Sequence, residues 1–167
     1  MDIAEIDAFM AEQKTLAGPP PEWQDGTRPG ELSATWNIAD AVGIVRAQLR
    51  FRCPRHSPQF PSISVVYRGN LISRLDIVAP DQCKLNPPGA AALGLPPKVC
   101  GSHWHPWTDN RHFVLSAGFG QVPYRRLIPP QVRRLPQALP WLSDQINLTI
   151  GPDQRGFDVP PQGELFP

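Results

Sequence analysis

The sequence predicts a single α+β domain, a curved antiparallel sheet of about five or six strands with an N-terminal and a C-terminal helix packed on it and long proline-rich loops. Three observations carry that expectation. Residues 3–16 repeat apolar side chains at helical spacing, residues 43–53 alternate apolar with basic or amide side chains, and Gly69-Asn70 divides two β-rich runs. The length of 167 residues fits one domain with an acidic helix at 3–16, a basic sheet body at 32–128, and a C-terminal helix and tail at 131–167.

Ile3, Ile6, Phe9, Met10, Ala11 and Leu16 make the apolar face of the first helix. Asp2 stands as its N-cap with Glu5 three residues on, and Gly18 followed by three prolines ends it. Residues 19–31 read as a loop holding Trp23, and Leu32–Ile38 as a short strand opposed to the next one. In the clearest strand, Val45, Ala47, Leu49, Phe51 and Cys53 share one face, and Arg46, Gln48, Arg50 and Arg52 share the other. Neighbours on one face of a strand lie about 6.8 Å apart, so the three arginines form a row. Ser62–Arg68 and Leu71–Val78 predict a hairpin. Residues 79–101 read as a long loop. Ser102–Trp107 and Arg111–Ala117 predict a second hairpin turning at Thr108-Asp109-Asn110. Val132, Leu135, Leu139, Leu142 and Ile146 mark a last helix, with Pro136 and Pro140 leaving 139–148 as its regular part. The tail from Gly151 offers Phe157, Leu165 and Phe166 for packing.

Composition narrows the function classes. Hydrophobic residues are 41% and charged residues 19%, enough for a packed core and against wholesale disorder. The 22 prolines cluster between the periodic segments, as stiff loops would. With no apolar run long enough to span a bilayer, no membrane role is expected. The acidic start lacks a signal peptide's positive region, and three cysteines are an odd count that argues against a disulfide framework. A cytoplasmic location follows as the expectation. The net charge of +1 hides strong segregation: residues 1–40 carry −6, residues 41–134 carry +10, and residues 135–167 carry −3. Either the basic middle meets nucleic acid or an acidic protein surface, or the acidic ends fold onto it as salt links.

Three constellations could carry chemistry. His103-Trp104-His105 on a strand would point both imidazoles to one face, where they could act as general base and general acid. With Arg74, Asp76 and Arg111 in support, they would suit metal-free RNA cleavage, and their place beside a turn predicts exposed rings. Cys53-Pro-Arg-His56 and Cys100-Gly-Ser-His103 are two C-x-x-H pairs that could hold zinc; no cofactor is otherwise implied, and Cys83 reads as inert. Arg46, Arg50, Arg52, Arg68, Arg125 and Arg126, with Trp104 and Trp107 for stacking, form the vocabulary of single-strand recognition. No P-loop, dinucleotide fingerprint, nucleophile elbow or H-E-x-x-H occurs, which disfavours ATPase, Rossmann and common hydrolase chemistry.

Two resemblances add to this. Ala4-Glu5-Ile6-Asp7-Ala8-Phe9-Met10 with Lys14, the segment from Ser102 to Trp107, Asn147-Leu148-Thr149 and the tail from Pro161 to Phe166 resemble an uncharacterised bacterial family of mobile and prophage-like contexts. The middle is similar to TumE-type toxins of toxin–antitoxin systems, in Gly69-Asn70-Leu71-Ile72-Ser73-Arg74-Leu75-Asp76 followed by His103-Trp104-His105. These resemblances imply a toxin-like nuclease, with a cognate antitoxin or a defence-complex subunit as partner. Beside that reading stand a non-enzymatic inhibitor or anti-defence protein using its arginine face, and a zinc-stapled structural module.

Overall fold

The fold is that of a computed structural model, which describes residues 2–161; the end of the tail, with Leu165 and Phe166, lies outside them. Helix α1 (Ile3–Ala11) starts where the sequence places it, with the Asp2 carboxylate accepting the Ala4 N–H at 3.0 Å. It ends earlier than Leu16 because Lys14–Leu16 leaves the helix as strand β1. Thr15 and Leu16 pair with Ala39 and Ile38, while Lys14 and Thr15 pair with Leu148 and Thr149. Sheet bonding on both sides outweighs the helical propensity of one more turn. The carbonyls at the helix end are then capped from outside: Lys14 Nζ donates to Phe9 O (2.6 Å), Glu12 O (2.7 Å) and Met10 O (3.3 Å), and Asn147 Nδ2 to Met10 O (3.1 Å). Burial pushes the Lys14 ammonium down to about 8.

Strands β2 (Gln24–Asp25), β3 (Glu31–Ala39), β4 (Val45–Pro54), β5 (Ser62–Tyr67) and β6 (Asn70–Asp76) follow. From β3 to β6 they form an antiparallel meander. The β5–β6 hairpin turns on Arg68 and Gly69, one residue earlier than the sequence suggests, at φ 47° and 81°. Two positive φ values match the twist of the flanking strands.

The long segment after β6 is more ordered than expected. Strands β7 (Cys83–Leu85) and β8 (Lys98–Cys100) form a small ribbon of their own around a 3-10 turn at Ala90–Leu93. Cys83 and Cys100 face each other in register and form a disulfide. This corrects two expectations, that the odd cysteine count argues against a disulfide framework and that Cys83 is inert. Cys53 is the cysteine left over, buried in β4. Strand β9 (His103–His105) then joins the main sheet beside β6, but no second hairpin forms. Residues Trp107–Ala117 are helix α2, with Pro106 at its N-cap. A helix start does not need the N–H that proline lacks, so the Pro-rich and Asp-Asn signals mark a helix entry instead of a turn.

Strand β10 (Arg126–Leu127), helix α3 (Leu135–Gln145) and strand β11 (Leu148–Thr149) complete the order. Helix α3 begins before residue 139 because Pro136 sits in its first turn, and Pro140 lies on its exposed side. The main sheet has the order β10-β9-β6-β5-β4-β3-β1-β11 with β2 on the edge of β3. Among the described residues it therefore has more strands than the five or six expected, and the parallel β1–β11 pair makes it mixed.

Strand alternation sorts the two faces. Trp36, Leu49, Phe51, Ile63 and Leu75 are buried on one face, against Ile6 and Phe9 of α1, Trp107 and Val114 of α2, and Leu135, Leu139 and Leu142 of α3. Phe157 closes one end of this core between Trp23, Trp36 and Phe51. With all three helices in that core, the opposite face carries the polar residues.

Candidate functional site

The ladder register builds the polar face as two cross-strand rows. One runs Thr35, Arg50, Ser64, Arg74, His105, and the other Ser33, Arg52, Ser62, Asp76, His103. Directly opposed residues share a face, so Arg50, Arg52 and Arg74 stand together with two serine hydroxyls and the acid–imidazole group. The three arginines, the two serines and Asp76 line an open groove of about 750 Å³, joined by Arg28, Glu31, Phe60 and Phe119, with His103 and His105 buried behind Asp76. Arg50 donates to the Gln48 amide oxygen from Nε and Nη2 at 3.3 Å each, and Arg52 reaches Glu31 at only 3.9 Å. Arg50 and Arg52 are thus loosely held, and the Glu31 Oε1 atom is buried with no hydrogen-bond partner.

One end of the groove is chemically dense. Asp76 Oδ2 lies 3.2 Å from His103 Nε2, 3.3 Å from His105 Nε2 and 3.0 Å from Arg74 Nε, while Arg74 Nη2 lies 3.2 Å from His105 Nε2. Each imidazole is anchored at its other nitrogen, His103 Nδ1 to Gly101 O at 2.9 Å and His105 Nδ1 to Val122 O at 2.6 Å. Burial alone would raise the Asp76 carboxyl, but the His103 and His105 contacts and the Arg74 charge outweigh it and hold it well below the usual carboxylate range. Burial pushes His105 below the ordinary histidine value, against the raising effect of Asp76. The rings are 2% and 0% exposed, so the expectation of exposed histidines is corrected, and the loop after α2 brings the Val122 carbonyl onto His105.

Two buried amides fix that loop. Asn110 Nδ2 donates to Pro106 O and Tyr124 O, and its Oδ1 accepts from the Tyr124 N–H. Asn86 does the same for Arg125, donating to Pro96 O and Arg125 O and accepting the Arg125 N–H. With backbone held on both sides, the Val122 carbonyl stays on His105.

Other residues singled out from sequence lie elsewhere. Arg111 is tied to Asp7 of α1 at 2.8 Å, away from the histidines. Arg126 forms a double contact with Asp109 at 2.7 and 2.8 Å, and Arg46 pairs with Asp40 at 3.2 Å. Arg68 reaches Glu5 at 3.6 Å, and Arg125 donates to Pro123 O at 3.3 Å. Neither tryptophan is placed for base stacking: Trp104 packs edge-on against Trp141 and donates to Ser73, and Trp107 is buried with its N–H on Asp7. The proposed zinc set is not assembled, since the Cys100 sulfur is bonded to Cys83 and burial pushes the Cys53 thiol up to about 11, leaving it protonated. His56 lies in an exposed turn after β4.

The acidic N-terminal segment folds onto the basic middle, as one of the two charge readings expected. Glu5, Asp7, Asp25, Glu31 and Asp40 meet Arg68, Arg111, Arg55, Arg52 and Arg46 respectively. In the groove, Arg28 and Arg50 meet none of these acids, Arg52 meets Glu31 only at 3.9 Å, and Arg74 is paired with Asp76. Sequence reading missed Ser62, Ser64, Phe60 and Phe119. The out-of-phase alternation of Ser62 and Ser64 with Ile63 and Val65 was the available signal for the serines. No helix of the described residues is long and apolar enough to cross a membrane. No protein-family model, curated protein or solved structure matches the chain.

Proposed function

We propose that this is a toxin-like, nucleic-acid-directed protein that grips single-stranded RNA along the polar face of its sheet. One observation carries the reading: Arg50, Arg52 and Arg74 line a single groove with Ser62 and Ser64, and that groove ends on Asp76, next to His103 and His105. Guanidinium groups match phosphate oxygens, the serine hydroxyls can meet sugar and phosphate, and Phe60 and Phe119 give bases a stacking surface. A cytoplasmic setting and a cognate antitoxin or defence-complex subunit go with this reading. In a reducing cytosol Cys83 and Cys100 would stand as thiols, whereas their disulfide belongs to an oxidising compartment.

A second reading, a non-enzymatic inhibitor or anti-defence protein that occupies its target's site, is favoured by the burial of both imidazoles. Metal-free acid–base cleavage asks each ring to reach a substrate oxygen, and here both Nε2 atoms face Asp76 instead. The test is anisotropy with a labelled single-stranded RNA, a DNA duplex and an acidic peptide, together with growth of cells expressing the chain. RNA binding with growth arrest supports the toxin-like reading. RNA binding without arrest moves the weight to the inhibitor, and preference for the peptide overturns the nucleic-acid assignment.

A further inference from the structure

We propose that Asp76, His103 and His105 form a binding site for one first-row divalent transition-metal ion, set at the closed end of the groove with its open position toward the groove. The first argument is a count of donors and acceptors. A carbonyl oxygen only accepts, so Nδ1 carries the proton in each ring, on Gly101 O for His103 and on Val122 O for His105. Each ring then presents Nε2 to the same carboxylate oxygen. Two ring nitrogens and a carboxylate oxygen, all of them metal-ligand atoms, thus converge at a buried point. This tautomer, with the second nitrogen donating to a backbone carbonyl, is also the one metal-binding histidines adopt.

The second argument is distance. The ligand atoms all lie within 4.8 Å of one another, and the two Nε2-to-Oδ2 separations are 3.2 and 3.3 Å. An ion bound tetrahedrally at about 2.0–2.1 Å holds its ligands about 3.3 Å apart. Two imidazoles and one carboxylate suit a borderline ion such as Zn²⁺, Mn²⁺, Fe²⁺ or Co²⁺ better than Ca²⁺ or Mg²⁺. Three protein ligands with one position left open is the pattern of reactive centres, whereas structural zinc sites are closed by four.

Arg74 gives the site a distinctive property. Its guanidinium contacts both Asp76 Oδ2 and His105 Nε2, so it stands where the ion would bind. Its side chain is 37% exposed and can swing into the groove. Arg74 is therefore a resident cation that competes with the metal, and an entering ion would release it beside Arg50 to meet a phosphate. The part of this inference that concerns substrate, a phosphate oxygen or a water at the open position, rests on the RNA-groove reading. The metal site itself does not.

The experiment uses the full chain, treated with a chelator, desalted, and titrated with Co²⁺ and Zn²⁺ by visible absorption and calorimetry. The expected result is one ion per chain, with a Co²⁺ spectrum of low coordination number. Asp76→Asn should weaken binding by well over tenfold, and Arg74→Met should tighten it by about tenfold, because a charge a few ångströms away is removed. Arg74 is half-exposed, so that variant stays informative even where Asp76→Asn fails to fold. No stoichiometric binding by either wild type or Arg74→Met, weaker binding by Arg74→Met, or binding unchanged by a folded Asp76→Asn each overturns the site. RNA binding by the chelated protein is measured separately. Its absence counts against the groove reading and leaves the metal result standing.

Discussion

The two faces of the sheet are made by the same strands and differ by one step of register. On β4, Leu49 and Phe51 are fully buried, while Arg50 between them is half-buried in the groove. The apolar face is held by packing against three helices, so each of its side chains carries stability. The polar face is held at its histidine end by hydrogen bonds and around Arg50 and Arg52 by looser contacts, so those two side chains carry little. The lesson is that function has room where packing does not set the residue. Substitutions on the two faces should therefore separate cleanly.

The largest separation is expected for Phe51→Ala against Arg50→Ala. The core truncation should cost about 3–5 kcal/mol in a urea unfolding series, and the arginine change less than about 0.5 kcal/mol. Equal costs would dissolve the distinction. Next comes the disulfide. Cys83→Ser with Cys100→Ser should cost about 3 kcal/mol, since the bridge closes a loop with a sequence separation of 17. Because Cys100 leads through Gly101 into His103, the same variant probes how far the histidine end depends on the β7–β8 ribbon.

Lys14 sharpens the comparison, as a buried charge on the packed side. Its folded value of about 8 lies below the unfolded 10.5, so between these values the unfolded chain holds more protons. Stability of the wild type relative to Lys14→Met should then rise with pH across that window, at up to about 1.4 kcal/mol per pH unit, and stay level below it. Cys53 titrates in both proteins and cancels. A flat difference would mean that the three carbonyls on Lys14 Nζ hold the charged form in place.

What was legible in the sequence follows the same division. Alternation in β4 and the β5–β6 signal are local, so the central strands and the helical pattern of α1 could be read directly. Lys14–Leu16 could not, because its partners Ile38, Ala39, Leu148 and Thr149 are remote and their pairing overrides a local helical pattern. Thr108-Asp109-Asn110 misled because a helix start and a turn draw on the same residue types, and only the fold shows Asn110 gripping Tyr124. The grouping of His103, His105, Arg74 and Asp76 was visible from motif order, since they lie opposite one another in the ladder. The burial of the two rings was not, because it depends on partners set by the fold, such as Val122 O on His105. Arg111 and the two tryptophans were assigned to the site by proximity in sequence, yet their partners Asp7, Ser73 and Trp141 lie in other elements.

The smallest effect on stability is expected where the effect on binding is most informative. The measurement is the salt dependence of single-stranded RNA affinity, for wild type and for Arg50→Ala with Arg52→Ala. Each phosphate contact on a single strand contributes about −0.7 to the log–log slope, so losing two should flatten it by about 1.4. The melting temperature should stay nearly constant, because neither side chain belongs to the core. A flattened slope at unchanged stability is the result the groove account predicts. An unchanged slope, or no RNA binding by the wild type, would contradict it.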